Sequence, residues 1–136
     1  MFCCIPDLFY LVQNPCMLKT LCIIFALIAT TDVIAQQKIT LQELSKHVGD
    51  TVTVCGKITG GKFLDAAKNQ PTFLNMGAAY PNQLLTVVIW GNTRKQFSYK
   101  PEEYLKGKEV CITGRVELFK EKPQIVVTQV AQLQVQ

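Results

Sequence analysis

Two stretches of the chain alternate apolar and polar residues strictly. In TVTVCGKI, Val52, Val54, Gly56 and Ile58 fall on one side and Thr51, Thr53, Cys55 and Lys57 on the other. In KEVCITGRVELF, Val110, Ile112, Gly114 and Val116 oppose Glu109, Cys111, Thr113, Arg115 and Glu117. A period of two belongs to a half-buried strand, because successive side chains point to opposite faces. Residues 72–76 and 84–90 read as two more strands, separated by GAAYPNQ, where Pro81 and Asn82 supply turn chemistry. A fifth strand, QIVVT, follows the turn KEKP.

Upstream of residue 50 the period is 3.6. Thr40 and Glu43 have capping-box spacing, and Leu41, Leu44 and Val48 stay on one helical face until Gly49, which predicts a short helix of about two turns. The connector NTRKQFSYKPEEYLKG has room for a second short helix near Glu102 to Leu105, with Pro101 in its first turn. Five strands with one long connector between the third and fourth is the layout of an oligonucleotide/oligosaccharide-binding (OB) barrel. The expected fold is therefore all-β: a five-stranded OB-fold barrel with a short N-terminal helix. Gly56 and Gly114, inside otherwise good strands, suit sharp bends or close backbone approach. Another small barrel, or a two-layer sheet with the helix on one face, stands as the alternative.

The N-terminal 35 residues read differently. From Met17, MLKTLCIIFALIATTDVIAQQK has an early lysine, an apolar run from Leu21 to Ala29, and small residues at the first and third positions before Gln36. That is the pattern of a secretory signal peptide, and the apolar run is shorter than a membrane span requires. The expected organisation is an over-extended N-terminus over 1–16, a signal peptide over 17–35, and one domain over 36–136, exported to the periplasm or the extracellular space. Four of the 6 cysteines (Cys3, Cys4, Cys16 and Cys22) precede that domain, which leaves Cys55 and Cys111. Of 14 Lys and Arg and 10 Asp and Glu residues, only Lys19, Asp7 and Asp32 precede residue 36, so the domain keeps 13 against 8, a net +5. Such an excess favours polyanions weakly.

Seen together, TVTVCGKI, PTFLNMG, YPNQLLTVVIWG, Arg94 with Phe97, GKEVCITGRV and KPQIVV resemble a family of small bacterial OB-fold proteins, often exported and described as DNA-binding or nucleic-acid-binding. The resemblance spans nearly the whole of 36–136 and implies the OB fold and, more weakly, a nucleic-acid ligand. Two departures stand out. The connector GGKFLDAAKNQ carries little basic charge, and Glu121 sits where a glycine would be more familiar.

Catalysis finds little to build on. His47 is the single histidine, the acidic residues are scattered, and Ser45 and Ser98 lack a nucleophile's surroundings, so no enzyme, metal or cofactor is expected. Binding single-stranded nucleic acid takes stacking surfaces and a basic lining. Phe73, Trp90 and Tyr80 are the candidate rings, and Lys57, Lys62, Lys68, Arg94, Lys95, Arg115, Lys120 and Lys122 the candidate cations. Each has a plainer reading: Phe73 as core, Trp90 packed on the helix or connector, and the lysines as a solvated face. Asn75 and Gln83 read as turn and edge hydrogen-bonders. If Leu85, Val87 and Ile89 face inward, the opposite row of Leu84, Thr86, Val88 and Trp90 is mostly apolar and suits a covering helix or a protein partner. An exported protein-interaction or structural module, with a protein or glycan ligand, is therefore the alternative function.

Cys55 and Cys111 fall on the side opposite the Val/Ile face of two strands that neighbour each other in an OB barrel. Opposed, non-hydrogen-bonded residues of an antiparallel pair have Cα atoms about 4.5 Å apart, near the lower limit for a disulfide. An oxidising compartment would admit the bridge. Free packed thiols remain the competing reading; a redox pair is disfavoured by the absence of C-x-x-C spacing.

Overall fold

The computed structural model describes residues 36–136; the expected extension over 1–16 and signal peptide over 17–35 lie outside the described residues. β2 (Thr51–Phe63) is the longest strand and serves two neighbours within the barrel. Its first half pairs antiparallel with β5 (Glu109–Phe119), from Thr51 opposite Arg115 to Lys57 opposite Glu109. Its second half pairs antiparallel with β3 (Thr72–Met76), after a register shift between Ile58 and Gly60 that turns the strand from one neighbour to the other. β3 then pairs antiparallel with β4 (Leu85–Ile89), β4 pairs parallel with β6 (Lys122–Val127), and β6 pairs antiparallel with β5. The order β2-β3-β4-β6-β5 returns to β2, so the five strands close into a barrel. This is the OB fold that the alternation and connector lengths predict.

The inward set of side chains is the one the alternation assigns. Val52, Val54, Ile58, Val110, Ile112 and Val116 have no exposed surface, and Leu85, Val87 and Ile89 join them from β4. Burying a side chain of this kind stabilises a fold by roughly 1.5–3 kcal/mol. The two strand glycines mark close approach. A Cβ on Gly56 would lie 2.7 Å from Leu41 Cδ1, and one on Gly114 only 2.5 Å from Ile125 Cγ2. The bend falls instead at Ile58 and Gly60.

Four features differ from the sequence reading. The N-terminal helix is a 3₁₀ turn, Leu41–Lys46, that ends before Val48; Leu44 is buried, but Val48 is 42% exposed. Its tighter pitch and early stop break the Leu41–Leu44–Val48 stripe, which needs a helix of 3.6 residues per turn. Two short strands extend the barrel wall: β1 (Gln37–Ile39) runs parallel to β2, and β7 (Leu133–Val135) pairs antiparallel with β5. Three-residue strands carry too few positions for a period to be read. A four-residue helix, α1 (Gly91–Arg94), follows β4 directly. The second helix, α2 (Pro101–Tyr104), starts with Pro101 as expected.

β2 and β5 place Cys55 and Cys111 directly opposite each other, with Cα atoms 4.0 Å apart and the two sulphurs joined in a disulfide. One register pair along, the hydroxyls of Thr53 and Thr113 lie 2.8 Å apart.

Candidate functional site

Because alternate residues leave the barrel wall in opposite directions, each inward row of the sheet implies an outward one. Across β2, β3, β4 and β6 the outward partners are Lys62, Phe73, Val88 and Val126. The next row brings Asn75, Thr86, Gln124 and Glu117 together across β3, β4, β6 and β5. Beyond it, Phe119 and Lys122 face each other on either side of the two-residue turn Lys120–Glu121. Both turn residues have positive φ (48° and 65°), the left-handed pair that a tight hairpin with right-handed strand twist requires.

Two loops complete the enclosure. The β3–β4 loop is anchored by the Thr59 hydroxyl, whose single proton is shared between the Ala78 carbonyl (2.8 Å) in the loop and the Asn75 carbonyl (3.1 Å) in β3. From the far side, Lys122 Nζ donates to the Pro81 carbonyl and so links this loop to the β5–β6 turn. The resulting cleft has a volume of about 680 Å³ and is lined by Gly61, Lys62, Phe73, Asn75, Tyr80, Gln83, Thr86, Phe119, Lys120, Lys122 and Gln124. Tyr80 and Phe119 stand at its rim with 75% and 60% of their surface exposed. Gln83 Nε2 donates to Thr86 Oγ1 at 3.1 Å, while Gln83 Oε1 is buried with no hydrogen-bond partner. Such an acceptor is unusual in a folded protein and is available to a bound donor.

The cleft gathers Phe73, Tyr80, Lys62, Lys120 and Lys122 out of the residues singled out from sequence. Phe73 is half-buried on the outward row rather than in the core. Asn75 and Gln83 line the same cleft, so their place is wider than a turn or an edge. Phe119, Thr86 and Gln124 were not foreseen as site residues. The alternation of β5 does put Phe119 on the side of Glu117, away from the Val/Ile face, but spacing cannot say which loop it will meet.

The other candidates lie elsewhere. Lys57 is opposite Glu109 on the β2–β5 surface, Arg115 is opposite Thr51 there, and Lys68 and Lys95 are exposed, in the β2–β3 loop and just after α1. Arg94 is committed internally: Nη2 lies 2.5 Å from Glu102 Oε1, Nε donates to Thr72 Oγ1 at 3.1 Å, and the guanidinium sits 4.0 Å from the centre of the Phe63 ring. Trp90, 39% exposed, lines a smaller pocket of about 440 Å³ with Asn69, Gln70, Gly91, Asn92 and Thr93. The expected apolar outward row of β4 is covered at its centre, where Val88 is 2% exposed, and open at Leu84 and Trp90.

His47 Nδ1 lies 3.2 Å from Asp50 Oδ2. Among the described residues no three His, Cys, Asp or Glu side chains are grouped as a metal site, and no helix is long and apolar enough to cross a membrane.

No family model and no curated protein sequence matches the chain. Solved structures do. A chain of the yeast Stn1 and Ten1 crystal structure is similar over 76% of this protein and 64% of its own length, with a TM-score of 0.53 and 13% identity. The OBody AM1L10, bound to hen egg-white lysozyme, is similar over 76% of this protein and 97% of its own length (TM-score 0.47, 14% identity). Asparaginyl-tRNA synthetase from Pyrococcus horikoshii is similar over 72% of this protein but only 22% of its own length (TM-score 0.47, 17% identity). The likeness to the yeast chain is one of fold, and the protein spans less than two thirds of that chain's length. That likeness shows an OB barrel and nothing finer, since one fold hosts many functions.

Proposed function

We propose that the cleft binds single-stranded nucleic acid, weakly and without base-sequence preference, and that the protein is a non-catalytic, exported binding module. One observation carries the reading: three rings, Phe73, Tyr80 and Phe119, and three lysines, Lys62, Lys120 and Lys122, meet in one cleft. A base stacks on any aromatic face whatever its identity, and a lysine neutralises phosphate without reading sequence, so the two together bind strands non-specifically. The amides of Asn75, Gln83 and Gln124 form the neutral floor between them. The secretory pattern read over 17–35 supports export to the periplasm or the outside of the cell.

The same neutral floor, with the exposed Tyr80 and Phe119 at its rim, favours a second reading as a protein- or glycan-binding module. Fluorescence anisotropy of a labelled oligonucleotide at several salt concentrations separates them. Three phosphate contacts predict a slope of log Kobs against log[salt] of about −2, from roughly −0.7 per contact on single strands. An absence of binding at low salt with protein at high micromolar concentration would remove the nucleic-acid reading. Glycan or protein capture sensitive to Phe119→Ala would then support the second.

A further inference from the structure

The outward row of β4 does not stop at the cleft. Thr86 lines the cleft, Val88 is the next outward residue, and Trp90 is the one after, lining the second pocket. Thr86 and Trp90 are four residues apart, about 13 Å along a strand. Between them Val88 is covered, at 2% exposure, and the apolar shelf is formed by its half-buried register partners Phe73 and Val126 on the strands to either side. The two pockets are therefore openings at either end of one face.

The second pocket is built rather than incidental. Gly91 N–H donates to the Asn69 carbonyl at 2.9 Å, and a Cβ on Gly91 would meet that same oxygen at 3.0 Å. The β2–β3 loop is thus docked against the end of β4, with Asn69 and Gln70 both held at positive φ (64° and 44°). Asn69, Gln70 and Asn92, all neutral and polar, line the pocket with the half-exposed indole. A flat ring flanked by neutral hydrogen-bonding groups suits a nucleobase, which presents a π-face and polar edges.

We infer that the Trp90 pocket is a second stacking station on the same strand of nucleic acid, reached from the cleft along the outward row of β4. The inference rests on the proposed reading of the cleft and deepens it, because it sets a minimum strand length. At about 3.4 Å per step of a stacked strand, 13 Å is roughly four steps, or about five nucleotides, so a stacked strand filling both stations is longer than a trimer. The phosphates hold at the cleft lysines, and the far base lies on the indole.

Trp90 is the single tryptophan of the chain, so its emission reports on this pocket alone. Titration with a thymidine octamer is expected to quench it, and a trimer at the same nucleotide concentration to leave it unchanged. Trp90→Ala should weaken octamer binding roughly 5- to 150-fold, the range for loss of one stacked base, without altering the trimer's affinity. Trp90→Phe, which keeps a ring, should restore most of it, and thermal melting of both variants separates lost stacking from lost folding. Octamer binding that depends on Phe119 but leaves Trp90 emission and the Trp90→Ala affinity unchanged would overturn the second station while sparing the cleft. Quenching by a neutral oligosaccharide, with no response to any oligonucleotide, would overturn both.

Discussion

Arg94 Nη2 and Glu102 Oε1 lie 2.5 Å apart with only 17% and 13% of their side chains exposed, an ion pair that fastens α2 to the start of β3 through Thr72. The arginine stands out in the sequence as a basic residue in a connector, yet its role is internal. Removing one partner of a buried pair leaves the other charge unpaired, which destabilises by roughly 3–5 kcal/mol. Arg94→Ala is therefore expected to lower the urea midpoint sharply, while the protein still folded binds oligonucleotide as before. An unchanged midpoint with lost binding would make Arg94 a ligand contact instead.

The Cys55–Cys111 bridge joins residues 56 apart in sequence. Closing a loop of that size in the unfolded chain stabilises the native state by roughly 2–4 kcal/mol. The double variant Cys55→Ser, Cys111→Ser should lose about that much in urea unfolding, and wild-type protein with strong reductant should match it. Intact mass after alkylation without reductant gives the direct count: two alkylated thiols in protein from an oxidising compartment would show that the bridge does not form.

Phe119 is 60% exposed, so it contributes little to the core and much to the rim of the cleft. Phe119→Ala should weaken oligonucleotide binding by roughly 1–3 kcal/mol, the usual cost of one lost stacking partner, with a melting temperature near that of wild type. Equal affinities for the two proteins would mean that no base stacks there.

Glu121 holds φ at 65°, where any side chain other than glycine meets its own backbone. Glu121→Gly should relieve roughly 1–2 kcal/mol of that crowding, partly offset by the greater freedom of glycine in the unfolded chain. A raised urea midpoint is expected. A lowered one would show that the glutamate side chain contributes more than its backbone conformation costs.

At the other end of the domain, the Thr40 hydroxyl and backbone N–H both donate to Glu43 Oε2, at 2.7 and 3.0 Å. These bonds favour the carboxylate, the hydroxyl's most, and with Lys46 and His47 nearby they hold Glu43 below the usual carboxylate range. A depressed folded-state value means that the stabilisation is complete above the unfolded value and fades as the pH falls through the lowered one. Glu43→Gln should flatten that acid limb of the stability profile. If the two proteins lose stability in parallel as the pH falls, the cap carries none of the dependence.

What the sequence determined is the barrel. Alternation in Val52–Ile58 and Val110–Val116 assigns the buried face, and burial is a property each strand declares locally through its own period. Connector lengths then order the strands, and in that order Cys55 and Cys111 fall on neighbouring strands. The register that sets them opposite each other belongs to the folded pair. The tertiary structure decided where the outward residues meet. Lys62, Tyr80 and Phe119 are distant in sequence and converge because closure brings the β3–β4 loop and the β5–β6 turn to one end of the barrel. It also decided which basic residues are spent inside: nothing in a single strand's pattern distinguishes Arg94, paired with Glu102 eight residues later, from Lys120, turned toward the cleft. A period of two reports only inside or outside. What an outward side chain faces depends on the curvature and closure of the whole sheet, which no local pattern contains.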